Sequence, residues 1–372
     1  MFSEWDDASV GLRVELLRGI YGNGFDHPST IQKQTLPLIT SGRDLVAQAQ
    51  SGTGKTGAFC VGVLQRLDLS AGTQAIILAP TRELSGQIKS VFDKLGTFMK
   101  TESVLLVGGA PMDRTVQQVR ENPHALIGCP GRTLDILNRG LVDTTKIKMI
   151  VLDEADEMLS QGFRDQLHQI FQHLTSEAQV LMFSATMSES LQSTIGKIMN
   201  NPEQILITAD QLTLEGIAQH YITVANDQVK FEIVKDLYAS VAVSQSIIYC
   251  NSVKRVQDLY EAMKNDGFPV CCMHSDMDRI TRTDTYDEFK AGKHRMLISS
   301  DITSRGIDIQ QVSIVINFDL PKGVDTYLHR IGRSGRWGRK GTAINLVSKF
   351  DREKMEEIQR HYKITLTEFT SF

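Results

Sequence analysis

The chain has 372 residues, 41% of them hydrophobic and 23% charged, with a formal net charge of −4. That size and balance suit two compact domains with buried cores and exclude a protein coated in basic surface for sequence-blind nucleic-acid binding. No segment approaches the roughly eighteen consecutive apolar residues of a membrane span and no N-terminal run has the pattern of a secretory leader, so a soluble chain with no membrane role is expected.

From Asp44 to Thr208, short β-branched or leucine-rich runs alternate with longer segments of helical period. The runs are Asp44–Ala49, Ala75–Ala79, Ser103–Val107, Ala125–Gly128, Met149–Leu152, Val180–Ser184 and Gln204–Ile207. A second set comprises Ile222–Val224, Ser246–Tyr249, Pro269–Met273, Arg295–Ser299, Ser313–Asn317 and Ala343–Val347. This rhythm predicts an α/β chain of two tandem domains, each a parallel sheet wrapped by helices. The boundaries expected are 1–208 for the first domain, 209–216 for a short connector and 217–372 for the second. Five scattered cysteines (Cys60, Cys129, Cys250, Cys271 and Cys272) lack the spacing of a zinc site or a disulfide framework, and are read as reduced thiols.

Ala49-Gln-Ser51-Gly52-Thr53-Gly54-Lys55-Thr56 follows an apolar strand and precedes a helical segment, the context a phosphate loop requires. Its glycines let the backbone approach phosphates, amides at the helix start face them, Lys55 meets the β/γ oxygens, and the Thr56 hydroxyl suits Mg²⁺. About a hundred residues on, Met149-Ile-Val-Leu152 delivers Asp153-Glu154-Ala155-Asp156 to a sheet edge. Acidic residues also favour ordinary helix starts, but a buried strand ahead of them points to Asp153 on the Mg²⁺ side and Glu154 as base for an attacking water. Ser184-Ala185-Thr186 ends another buried run, where its hydroxyls can reach Asp156 and link hydrolysis to its surroundings; a plain strand-end turn explains the triplet equally well. In the second half, Arg330, Arg333, Arg336, Arg339 and Lys340 crowd into eleven positions.

In motif order and over nearly its whole length, the chain resembles the DEAD-box RNA helicase family. Gly24-Phe25-x-x-Pro28-Ser29-x-Ile31-Gln32 resembles the family's adenine-reading Q motif, which implies Phe25 stacking on the base and Gln32 bonding its edge. Ser29 also reads as a helix N-cap. Ala49 stands where the general phosphate loop has Gly, a departure shared with helicase-type loops. Pro80-Thr81-Arg82-Glu83-Leu84, Gly108-Gly109 and Pro130-Gly131-Arg132 resemble blocks that hold an RNA backbone, implying contacts from Thr81, Arg82, Gly109 and Arg132. Cys129 replaces the usual Thr. Ile247-Ile-Tyr-Cys-Asn251-Ser252, Ser300-Asp301-Ile-Thr-Ser-Arg305-Gly306-Ile-Asp308 and His329-Arg330-Ile-Gly-Arg333-x-Gly-Arg336 resemble the later motifs. With Asp278-Arg279-Ile280-Thr281-Arg282, they imply RNA contacts at Asn251, Arg282 and Ser300, a ribose contact at Asp308, and arginine fingers at Arg333 and Arg336. Asp156, Ser184, Thr186 and His329 are then the residues coupling the domains. Arg279 stands where the family has Gln, and Trp5 is the nearest candidate for the aromatic residue usually found upstream of the Q motif.

Leu16-Leu-Arg-Gly-Ile20, Leu212-Thr-Leu-Glu-Gly-Ile217 and Arg333-Ser-Gly-Arg-Trp-Gly-Arg-Lys-Gly341 resemble the initiation-factor-4A subgroup, which includes an exon-junction member. The resemblance implies an RNA-dependent ATPase and helicase that uses ATP and Mg²⁺, serves translation initiation as a cytoplasmic monomer, and contacts RNA through its backbone with little sequence preference. The alternative it leaves open is a nuclear, ATP-locked RNA clamp with slow hydrolysis. A nucleotide switch without nucleic acid would give Arg82, Arg132, Arg282 and Ser300 no purpose. With no Arg-Gly, zinc-knuckle or basic extension in the sequence, a protein scaffold or activator is expected.

Overall fold

The computed structural model describes residues 2–49, 52–160, 162–187, 189–206, 217–240, 245–303, 312–334 and 341–370. Chain contacts divide it into two units, Met1–Ile207 and Thr208–Phe372. The connector expected at 209–216, with the domain boundary at 208, lies outside the described residues, as do the expected site residues Ser51, Asp308 and Arg336.

The first unit contains a seven-stranded sheet of β1 (Leu45–Gln48), β2 (Ala75–Leu78), β3 (Ser103–Leu106), β4 (Ala125–Gly128), β5 (Met149–Asp153), β6 (Gln179–Ser184) and β7 (Glu203–Ile205). Every pairing is parallel and the order is β3-β4-β2-β5-β6-β1-β7. The second unit contains β8 (Ile217–Thr223), β9 (Gln245–Tyr249), β10 (Val270–Met273), β11 (Met296–Ser299), β12 (Val312–Asn317), β13 (Gly341–Val347) and β14 (Thr367–Glu368). Its order, β10-β11-β9-β12-β13-β8-β14, is that of the first sheet with each strand number raised by seven. The two halves are therefore topological repeats.

Period-two alternation explains why the strands read as unbroken apolar runs. In β1, β2 and β5, Leu45, Ala47, Ala75, Ile77, Met149 and Val151 enter one core, while Val46, Ile76, Leu78, Ile150 and Leu152 enter another on the opposite face. In the second unit Ile248, Ile314 and Ile316 face one core and Ile247, Tyr249 and Val315 the other. Helices flank both faces, and their starts are fixed locally: Thr81 caps Arg82–Leu95, Ser252 caps Val253–Asn265, and Asp278 caps Arg279–Lys290 by accepting from Ile280 and Thr281 amides.

The strand positions follow the expected runs with two corrections. β8 begins at Ile217 rather than 222, because Gln219 and His220 interrupt its apolar pattern yet pair in full register with β13. The two-residue β14 was not expected and is too short to leave a periodic signal. The five thiols are free, and burial pushes those of Cys60, Cys129, Cys250, Cys271 and Cys272 upward.

Separate cores predict separable stability. Phe92 is fully buried in the first unit, and Phe92→Ala should destabilise that unit by about 3–5 kcal/mol. Hydrogen exchange should then show lost amide protection in β1–β7 and parental protection in β9–β13. Equal losses in both units would refute the separation.

Candidate active site

The functional residues of the first unit gather where β1, β5 and β6 end side by side. Gln48 pairs with Ser184 and Asp153 with Phe183, so the phosphate loop, the acidic quartet and the Ser-Ala-Thr triplet leave the sheet at one edge. The carboxyl edge of a parallel sheet is where α/β folds bind ligands. Helix Lys55–Arg66 starts there with Gly54 at φ +100° and no side-chain cap, leaving its first amides for an anion.

Lys55 Nζ lies 3.4 Å from Glu154 Oε1, and both side chains are buried. Glu154 has φ +52°, the left-handed region that side chains normally avoid. Such a conformation costs roughly 1–3 kcal/mol. Here it turns the chain sharply from β5 into helix Ala155–Ser160, and the Glu154 amide donates to Asp153 Oδ1 at 3.1 Å. Asp153 is pushed up to about 7, first by burial and then by the neighbouring Glu154 carboxylate, with Lys55 opposing.

The Q-motif residues, though distant in sequence, pack directly on this loop. Gln32 donates from Nε2 to Gly54 O at 3.1 Å and accepts the Ser29 amide at Oε1 at 2.7 Å. A Cβ on Gly54 would stand 2.8 Å from Gln32 Nε2, and one on Gly57 would stand 2.7 Å from the same atom and 3.0 Å from Phe25 Cε1. Glycine at the loop's Gly54 and at Gly57 in the helix's first turn leaves the room that Gln32 and Phe25 occupy. Gln32 thus holds the loop as well as being the residue expected at adenine. Trp5, the candidate for the aromatic upstream of the Q motif, is fully buried with Phe2 in the first core.

Beyond the acidic quartet, Thr186 Oγ1 donates to Asp156 Oδ2 at 2.5 Å, and Ser184 Oγ donates to Thr186 O at 2.7 Å. The triplet is thus joined to the quartet by hydrogen bonds rather than being a simple turn. At the neighbouring ends of β2, β3 and β4, Thr81 Oγ1 accepts the Leu84 amide. The Arg82 guanidinium lies against Gly108, while Arg132 donates to Ala110 O at 3.2 and 3.3 Å. Gly109 has φ +80°. These loops form one patch of the kind suited to a phosphate backbone. Cys129 sits 3.6 Å from Ser85 Oγ and provides no side-chain cap for helix Pro130–Asn138.

In the second unit, Asn251 turns inward. Its Nδ2 donates to Leu320 O at 2.8 Å and its Oδ1 accepts Arg330 Nη2 at 2.7 Å, so its side chain shapes the loop. Ser300 is half-buried after β11 and Arg282 half-buried on helix Arg279–Lys290. His329 lies on helix Val324–Ile331 and Arg333 just after it, with Arg333 Nε donating to His329 O at 3.2 Å. Arg330, a member of the cation cluster and of the last motif block, is fully buried and donates to Asp301, Asn317, Asp319 and Asn251. The signal available in sequence was the polar ending Asn317-Phe318-Asp319 on an otherwise apolar strand.

The buried carboxylates give a stability prediction. Because the folded Asp153 titrates near 7 against an ordinary 3.8, its neutral form favours folding below pH 3.8 and that contribution is lost as pH rises through 7. Asp153→Asn should therefore raise the melting temperature of the nucleotide-free chain by several degrees at pH 8, with a smaller gain at pH 5.5. Calorimetry at the two pH values checks this, and no gain at pH 8 would contradict the electrostatics.

The DEAD/DEAH box helicase family matches residues 29–194, and the helicase conserved C-terminal domain matches residues 229–338. Eukaryotic initiation factor 4A of Caenorhabditis elegans is 47% identical over 358 residues, 96% of this chain and 89% of that protein. The ATP-dependent RNA helicase FAL1 of Candida glabrata is 46% identical over 360 residues, 96% of this chain and 90% of that one. Among solved structures, S. cerevisiae Dbp5 bound to RNA and ADP BeF3 superposes with a TM-score of 0.92 at 37% identity, covering 97% of this chain and 95% of that one. Two repeated parallel sheets, a phosphate loop beside a buried Asp-Glu-Ala-Asp, and likeness over nearly the full length make this chain a DEAD-box ATP-dependent RNA helicase of the initiation factor 4A type.

Proposed function

We propose that the chain hydrolyses ATP to ADP and phosphate while it grips and locally unwinds RNA, and that it does so in translation initiation in the cytoplasm. The observation carrying the chemistry is the convergence of Lys55, Asp153 and Glu154 at the ends of β1 and β5, with Gln32 fastened to the same loop. Lys55 binds the β/γ oxygens. Glu154, held by its left-handed backbone beside Lys55, accepts the proton of the attacking water. Phe25 and Gln32 orient adenine, and Ser51, Gly52, Thr53 and Gly54 line the phosphates.

The donor set fits Mg²⁺: Asp153 supplies a hard carboxylate oxygen whose burial disfavours its own charge, and Thr56 supplies a hydroxyl. When bound, the ion neutralises phosphate charge. Arg333 and Arg336 stabilise the charge of the transition state, Asp308 holds the ribose, and Asp156, Ser184, Thr186 and His329 couple hydrolysis to domain movement. Thr81, Arg82, Gly109 and Arg132 hold one stretch of RNA backbone; Arg282, Ser300 and the loop shaped by Asn251 hold the next. Backbone contacts carry little sequence information. ATP and RNA then strengthen each other's binding by linkage. The initiation-factor names of its relatives support the translation role, with a protein scaffold supplying the targeting of a monomeric helicase.

ATPase activity should rise on adding single-stranded RNA. Glu154→Gln should keep ATP and RNA binding while lowering kcat by about two orders of magnitude or more, measured by steady-state hydrolysis and fluorescence binding. A variant with parental turnover would remove Glu154 from the role of base. Arg333→Lys should lower RNA-stimulated kcat by about tenfold or more, since an ammonium cannot reproduce the planar fork; parental turnover would take Arg333 out of the finger role.

A further inference from the structure

Two asparagines sit side by side on central strands of the second sheet, next to the buried apolar residues Ile316, Ile344 and Leu346. Asn317 ends the run Val312-Ser-Ile-Val-Ile on β12, Asn345 follows Ala343-Ile on β13, they pair in register, and both are fully buried. Buried amides are tolerated only when bonded. Asn317 Nδ2 donates to Asn345 Oδ1 at 2.8 Å, and Asn345 Nδ2 donates to His220 O on β8 at 2.8 Å. From above, helix Val324–Ile331 touches the pair at two points one turn apart. Arg330 Nη1 donates to Asn317 Oδ1 at 3.2 Å, and Asn345 Nδ2 donates to the Tyr327 hydroxyl at 3.3 Å. The Tyr327 hydroxyl in turn donates to Gln219 Oε1 at 2.9 Å.

Arg330 extends the anchorage outward, donating to Asp301 Oδ1 at 2.6 Å, Asp319 O at 2.7 Å and Asn251 Oδ1 at 2.7 Å, with Tyr249 beneath its guanidinium at 5.2 Å. Asp301 follows Ser300, so the loops placed at RNA and the helix leading to Arg333 meet on one buried cation. The Arg333 amide donates to Arg330 O at 3.1 Å, which ties the finger's backbone to that cation's. Two contacts at successive turns fix both the rotation of a helix and its position along its axis, which a single apolar contact does not.

The repeat explains the location. β12 occupies in the second sheet the place that β5 occupies in the first, so Asn317 ends the strand equivalent to the one ending in Asp153. Where the first unit ends that strand in a carboxylate beside the phosphate loop, the second ends it in a neutral amide that receives an arginine.

We propose that Asn317 and Asn345, with Tyr327, are positioning residues that set the finger Arg333 through helix Val324–Ile331. This rests on the finger reading of Arg333 above. Asn317→Leu fills the same space without the acceptor for Arg330, and Tyr327→Phe removes only a hydroxyl. Each should lower RNA-stimulated kcat by about five- to tenfold while KM for ATP and Kd for single-stranded RNA stay within about twofold of the parent, the signature of a group acting in the transition state only. The deciding measurement is a double-mutant cycle: in an Arg333→Lys background the same substitutions should change kcat by less than about twofold, because the finger through which they act is already lost.

Additive losses in that background would overturn the proposal, as they would reveal a general structural role. Parental kcat in both single variants would overturn it equally, and should Asn317→Leu fail to fold, Tyr327→Phe decides alone. If Arg333→Lys itself keeps parental turnover, the finger reading falls and the positioning role with it. Impaired Arg333→Lys beside unimpaired Tyr327→Phe and Asn317→Leu would leave the finger standing and sink only the present inference.

Discussion

Asp153 and Glu154 are consecutive carboxylates held out of water with Asp156 close behind, and Lys55 is the cation paired with them, 3.4 Å from Glu154. Carboxylates crowded in this way resist ionisation, and the first unit is organised around tolerating them. The β5 backbone must end abruptly so that the two side chains diverge, which is why Glu154 takes a left-handed conformation. The phosphate loop must stand at the end of β1 to deliver Lys55, and the sheet order that separates β1 from β5 by β6 alone puts it there. Even the glycines of the loop follow, since Gln32 and Phe25 occupy the volume that a side chain at Gly54 or Gly57 would need. Function and instability share one origin: the arrangement that makes the site unfavourable when empty is the one that would bind a hard cation and a polyphosphate.

The second unit repeats the topology and reverses the electrostatics. Its central strand ends in Asn317, and the charge set against it is a guanidinium, Arg330, buried completely and furnished with acceptors on four residues. A buried arginine costs several kcal/mol unless its donors are used, and here Asp301, Asn317, Asp319 and Asn251 use them. Asp319 also accepts from Arg255 at 2.6 Å and from the Asn251 amide at 3.1 Å, so the loops at this sheet edge are cross-linked by charge-assisted hydrogen bonds. Duplication of a parallel sheet thus supplied two similar platforms, one built to hold negative charge in need of cations and the other to hold cations in place.

Much of this was legible because chemistry at sheet edges leaves short signatures. Unbroken runs such as Met149-Ile-Val-Leu152 identified strands buried on both faces, and Gly-Lys-Thr after a strand identified the loop. Three things were not legible, for physical reasons. Gln219 and His220 hid the start of β8, since a strand is recognised by its apolar face and these residues take part in hydrogen-bonded contacts instead. The inward turn of Asn251 depends on Arg330, seventy-nine residues away, and no local pattern encodes that partner. Trp5, the candidate upstream aromatic, is core: an aromatic near a binding motif is indistinguishable in sequence from one that packs beneath it.

On the function proposed above, the charge carried by each unit gives a reason for the reaction to draw on groups from both. On the proposed mechanism a polyphosphate brings several negative charges to a site beside which Asp153, Glu154, Asp156 and Glu157 are buried with Lys55, so the first unit would position the substrate but hold little positive charge to stabilise what develops as a phosphate leaves. On the same proposal, Asp153 and Thr56 would hold a metal ion to supply part of the deficit. The remainder calls for cations that are already oriented, because a flexible lysine or a mobile arginine would have to be ordered during the reaction itself. Arg333, as the proposed finger, would meet that requirement if the helix before it is held in place. Tyr327 and Arg330 tie that helix to a pair of asparagines in the core. On this argument the polar centre of the second sheet is as much a part of the catalytic design as the acidic edge of the first.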